Sequence, residues 1–193
     1  MNMPLPEPPS DLRSRTGRVG AWMAARVDAM ARSGRHPLYW AGAREMAGVS
    51  VGLTAWAFMT GVAMIKSGMS ITEAVTMSLL VFAGSAQLAA IPLIAAGAPL
   101  WVVFAAAFCV NLRFVVFSLD LRRYFMFLPR ARRLWLGYFT GDVTYVLYTR
   151  RFPKPPETDQ QRRAQMAYLW GGNCANWIFW QTFSMLGIFL GNA

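Results

Sequence analysis

The stretch Met77-Ser-Leu-Leu-Val-Phe-Ala-Gly-Ser-Ala-Gln-Leu-Ala-Ala-Ile-Pro92 decides how the rest of the chain is read. It is apolar enough for lipid, yet it carries Ser78, Gly84, Ser85, Gln87 and Pro92. In hydrocarbon every backbone N–H and C=O needs an internal partner. Gly and Pro inside a span are therefore tolerated only where protein or a water-filled cavity takes over the freed hydrogen bonds. The expectation is a broken helix, irregular at Gly84, Ser85 and Pro92. A second polar cluster follows in Cys109-Val-Asn111-Leu-Arg113-Phe-Val-Val-Phe-Ser118. An Arg at the centre of a spanning helix costs about 2.5 to 3.5 kcal/mol on insertion scales, so Arg113 needs a partner and is a functional candidate.

Composition supports a membrane setting. Of 193 residues, 55% are hydrophobic and 15% charged, against roughly a quarter charged in soluble domains. The net charge of +10 comes from Lys and Arg gathered at the ends of apolar runs. Positive-inside bias puts them there; a groove-tracking stripe for nucleic acid has another pattern, so no nucleic-acid partner is expected. Cys109 and Cys174 both lie in apolar stretches and read as small buried hydrophobes, not as a disulfide.

The chain divides into three parts. Residues 1–16 form a Pro- and Arg-containing tail, expected to be disordered and lacking the apolar core of a signal peptide. Over 17–36, Val19, Trp22, Met23, Val27 and Met30 recur at spacings of three and four among Arg18, Arg26 and Arg32. This predicts an amphipathic helix lying either on an anionic membrane face or on the protein's own cytoplasmic side. Residues 37–193 form the membrane domain.

Five apolar stretches follow: Met46–Ile65, Ala74–Ala96, Pro99–Leu119, Leu134–Thr149 and Tyr168–Leu190. A hydrocarbon core of about 30 Å takes about 20 helical residues, so Leu134–Thr149, which also carries Asp142, is short. Gly48/Gly52 and Gly187/Gly191 are small-xxx-small pairs that predict close helix approach. Seven Arg precede Met46, five lie from Arg122 to Arg133, and five Lys or Arg from Arg150 to Arg163, whereas the connections at Lys66 and Gly97 have one and none. All three blocks cannot face the cytoplasm if every stretch crosses once. They can if Ala74–Ala96 and Leu134–Thr149 each return to the side they entered from. The expected fold is therefore an all-α polytopic membrane protein with five apolar segments, two broken or re-entrant, as in transporters that place a site at the midplane.

The polar groups least explained by packing are Gln87, Asn111, Arg113 and Asp142. With an amino acid as substrate, a break at Gly84 and Ser85 offers N–H groups to the carboxylate, and Asp142 offers a partner for the ammonium or a coupling proton. Arg113 pairs with the carboxylate or with Asp142. The alternative is that Arg113 and Asp142 form a structural ion pair while Gln87 and Asn111 bond to neighbouring helices.

Met77-Ser78, Val81-Phe-Ala-Gly-Ser-Ala-Gln87, Gly97-Ala98-Pro99 and Asn111-Leu-Arg113 together resemble the signature of the AzlC family, the large subunit of branched-chain amino acid exporters. The likeness extends through Tyr138-Phe-Thr-Gly-Asp142 and Gly172-Asn-Cys-Ala-Asn-Trp177 toward Leu190. It implies proton-driven export of small apolar amino acids from the bacterial cytoplasm across the inner membrane, with a cytoplasmic N-terminus. It also implies a small AzlD-type membrane subunit as partner. The chain departs from the family pattern at Phe114 and Phe117, where His and Tyr are frequent, and at Val143, where a second carboxylate is frequent. It also stops at Ala193, short of the family's usual length, so C-terminal truncation is an expectation. The competing reading is a non-transporting structural subunit of a membrane complex. An enzyme is not expected, since the apolar stretches hold no zinc-binding His/Glu pair and no Ser-His-Asp set, and no cofactor or metal is called for.

Overall fold

Helix starts need partners for their first N–H groups, and side chains supply them at three of the seven described helices. His36 Nδ1 accepts the Leu38 N–H at 3.2 Å, and Pro37, with no N–H of its own, opens the first helix, α1 (Pro37–Lys66). Ser70 and Glu73 form a capping box that starts α2 (Ile71–Val81), and α3 (Gly84–Ala95) follows after a break. Pro99 and Pro129 precede α4 (Leu100–Phe125) and α5 (Arg130–Phe139). After a second break comes α6 (Asp142–Arg151), and a Thr158/Gln161 capping box starts α7 (Asp159–Gly191). The computed structural model describes Gly34 and residues 36–192, and no strand occurs among them. The expected tail over 1–16 lies outside the described residues, and so does the amphipathic helix expected over 17–36 apart from Gly34 and His36.

The scaffold is a parallel pair, α1 with α7. Gly171 lies on the Tyr39 carbonyl, Gly42 on that of Tyr168, Gly187 on that of Phe58 and Gly61 on that of Ser184. A Cβ at any of these four would overlap backbone, so the two helices approach as closely as only glycine allows. Gly187 and Gly191 serve the seam as expected, but Gly48 and Gly52 do not: both are exposed, with open space where a Cβ would sit. Their spacing is right, but that face of α1 points away from α7. Buried hydroxyls are satisfied within this scaffold. Ser50 donates to the Met46 carbonyl and Thr60 to that of Trp56, while Ser78 meets Gln181 at 2.9 Å and Ser184 at 3.0 Å, fastening α2 to α7.

Two apolar clusters mark the two ends of this pair. At one end Leu38 of α1, Leu121 and Phe125 of α4, Leu136 of α5, Tyr148 of α6 and Tyr168 of α7 share a core. At the other, Met64 of α1, Ala74 of α2, Ile91 of α3 and Ile188 of α7 pack together. The start of α2 and the end of α3 are thus at one level, and so are α5 and the end of α6. Each broken unit turns back on itself, the two from opposite ends. The breaks fall at Phe82–Ala83, where Phe82 is left-handed at φ 38°, and at Thr140–Gly141. Pro92, expected to be irregular, lies inside α3, which continues to Ala95 with the Ala96 N–H bonded to the Pro92 carbonyl at 3.0 Å. One missing donor is not enough to end the helix.

By length and composition α1 and α4 can each cross a bilayer, and α2 and α3 are short apolar helices. One face of α4, with Leu100, Trp101, Phe104, Phe108, Val116 and Leu119 each more than half exposed, is a continuous apolar band. Cys109 lies exposed on α4 and is not the buried hydrophobe expected of it; both cysteines are free.

Candidate functional site

Both half-helices after the breaks start at the same residue of α4. Arg113 Nη2 lies 3.0 Å from Asp142 Oδ2 and also donates to Ser85 Oγ. From there α6 runs along α4 toward the first cluster, with Tyr145 stacked on Phe117 at 4.1 Å, its hydroxyl donating to Asp120 at 3.1 Å, and Tyr148 edge-on to Tyr124 at 5.3 Å. α3 runs the other way, toward the cluster around Ile91. Two helix N-termini therefore converge on one guanidinium.

Neither N-terminus carries a side-chain cap. The first helical bonds are from Gln87 N–H to the Ala83 carbonyl and from Tyr145 N–H to the Gly141 carbonyl. The N–H groups of Gly84, Ser85 and Ala86, and of Asp142, Val143 and Thr144, therefore have no partner within their own helices. Their aligned dipoles make this a region of positive potential. Asp142 is the carboxylate set into it.

The two breaks open on one cavity of about 60 Å³. Gly84, Ser85, Arg113, Gly141, Asp142 and Asn176 form its polar wall, and Leu53, Trp56, Phe82, Phe114, Val143 and Trp180 its apolar wall. The ion pair uses only part of what its members offer: Arg113 Nε and Asp142 Oδ1 are both buried with no partner among the described residues. Both side chains keep about a third of their surface exposed, 34% and 36%, so the pair is open to the cavity and not sealed in the core.

Four of the six residues singled out in the sequence, Gly84, Ser85, Arg113 and Asp142, are brought together here. Gln87 and Asn111 are not part of the cavity wall. Gln87 is fully buried and its Nε2 donates to the Met77 carbonyl at 3.2 Å, bracing α3 against α2 across the break. Asn111, two residues before Arg113, lies on another face of α4, its Oδ1 buried without a partner among the described residues.

Sequence reasoning missed Asn176 and Trp180. They are one turn apart on α7, and each covers one break. Asn176 Nδ2 would be 3.1 Å from a Cβ at Gly141, and a Cβ at Gly84 would overlap the Trp180 ring. A legible signal existed: Phe82-Ala-Gly-Ser85 recurs as Phe139-Thr-Gly-Asp142. Gln87 and Thr144 stand at matching steps after it, each buried with an oxygen that has no partner among the described residues. The breaks are fixed in place by further contacts. Tyr138 donates to the Leu79 carbonyl and packs its ring 5.8 Å from Phe82, joining the two tips, and Asn173 donates to Thr140 Oγ1 at 3.3 Å.

The AzlC protein family model matches residues 48–193, a span that includes both breaks and every residue of the cavity wall. Neither a curated protein nor a solved structure matches the chain. With most of its length matched, both breaks included, the chain belongs to the AzlC family of membrane transport subunits.

Proposed function

We propose that the chain is the large subunit of an exporter of small apolar amino acids, with the zwitterion bound between the two half-helix N-termini. The observation that carries this reading is the convergence of α3, α6 and Arg113 on one cavity that also holds a carboxylate with a free oxygen. The substrate carboxylate is met by the first-turn N–H groups of α3 at Gly84 and Ser85 and by Arg113. Its ammonium is met by Asp142 Oδ1. This matches the way transporters with discontinuous helices use half-helix N-termini for anionic groups.

Asp142 is the one carboxylate among the wall residues. Phe114 belongs to the same wall, Phe117 stacks on Tyr145, and Val143 follows Asp142, so the positions where the family pattern has titratable groups are filled by apolar side chains here. Ammonium and proton then compete for one group. A proton arriving from the outside displaces the ammonium and releases the substrate, and loss of that proton to the cytoplasm restores the site. The second and third basic blocks, with Arg44 of the first, lie around the Leu38–Tyr148 end, and this end is assigned to the cytoplasmic face of a bacterial inner membrane. The small AzlD-type partner belongs to this reading through the family relationship.

A structural subunit without transport is the second reading, and the ion pair itself is what favours it. Vesicles containing the chain and its small partner, loaded with leucine and valine, distinguish the two. The exporter reading expects efflux that rises when an inward proton gradient is imposed and stops when the gradient is collapsed. Efflux no faster than from empty vesicles with both subunits present overturns it.

A further inference from the structure

We infer that Trp180 sets the largest side chain the cavity accepts, which makes it a specificity-determining residue of the transport reaction. The inference rests on the proposed zwitterion site and extends it to the remaining wall. With the substrate's charged groups held at Gly84, Arg113 and Asp142, its side chain has only the apolar wall to meet. Trp180 dominates that wall: its ring lies on Gly84 with no room for a methyl group between them. Trp56 stands edge-on to it at 5.8 Å and Phe82 at 6.5 Å, so the ring is held in place from α1 and from the first break.

Trp180 is 6% exposed, and its indole N–H is buried with no partner among the described residues. What faces Gly84 is the apolar edge of the ring, Cη2, Cζ2 and Cζ3. The ring also lines the cavity, so its position limits the side chain that fits beside the turn.

The test is competitive efflux from vesicles carrying both subunits and loaded with equal valine, leucine and phenylalanine, for the wild type, Trp180→Phe and Gly84→Ala. Apolar cavities discriminate by roughly 10- to 200-fold per methylene-sized difference. Trp180→Phe, which shortens the wall, should raise phenylalanine relative to leucine by about fivefold or more. Gly84→Ala, which drives the ring into the cavity, should shift preference from leucine toward valine. The amino-acid-dependent rise in melting temperature of the purified complex should rank the three ligands in the same order, and it reads selectivity even where a variant exports poorly. Unchanged ratios in both readouts for both variants overturn the inference while leaving transport intact. A wild type that neither exports nor is stabilised by any of the three overturns the transport reading, and this inference with it.

Discussion

The α1–α7 seam and the region around Arg113 are built on opposite terms. Along the seam backbone meets backbone through Gly42, Gly61, Gly171 and Gly187, and the hydroxyls of Ser50 and Thr60 are returned to their own helices. Around Arg113 two helix starts have no side-chain cap, and Arg113 Nε and Asp142 Oδ1 are buried without a partner among the described residues. A chain that satisfies its polar groups carefully in one place and leaves them open in another is using the second place for something else. Stability resides in the seam, and the unmatched atoms of the Arg113–Asp142 pair belong to the cavity.

Substitutions along the seam should therefore act on folding and leave no function to measure. Gly61→Leu or Gly187→Leu sets a side chain against a backbone carbonyl that cannot move aside, with an expected cost of about 3 kcal/mol. The expected result is no monodisperse complex in size-exclusion chromatography. Recovery of normal yield would mean that the seam can open.

A site substitution should do the reverse. Ser85→Ala removes one acceptor of the Arg113 guanidinium but leaves the α3 N–H groups in place. It should raise the half-saturating substrate concentration about tenfold, the loss expected for a hydrogen bond to a charged group. The melting temperature should stay within about 4 °C of wild type, the shift that about 1 kcal/mol produces in a chain of this size. A large fall in melting temperature with unchanged half-saturation would assign Ser85 to the scaffold.

The smallest effect is expected at Gly48 and Gly52, which belong to neither region. Replacing both with Ile should change stability by no more than about 0.5 kcal/mol, read from the same melting curves. A loss of the small partner in this variant would show that the exposed face of α1 is an interface.

Much of this division can be read from the sequence, and the limits have physical reasons. Gly84 in an apolar run and the shortness of Leu134–Thr149 both make the breaks legible, because lipid leaves few other uses for such residues. Arg113 and Asp142 stand out for the same reason and do meet at 3.0 Å. The seam is only half legible. Small-xxx-small spacing finds Gly187 and Gly191, but it says nothing about which face of α1 turns to α7, so it also selects Gly48 and Gly52. Trp180 and Asn176 look like ordinary helix-packing residues until the fold places them over Gly84 and Gly141.

The central claim is that the Arg113–Asp142 pair belongs to the site and not to the scaffold. If the two residues only neutralise each other, removing one leaves an unpaired charge and lowers the yield of folded complex, and removing both is tolerated better. The direct measurement is branched-chain amino acid efflux from loaded vesicles for Asp142→Asn, Arg113→Gln and the double variant at matched levels of folded complex. All three variants should lose efflux, and the double variant should stay inactive although it folds as well as wild type. Efflux restored in the double variant, or undiminished in Asp142→Asn alone, would contradict it.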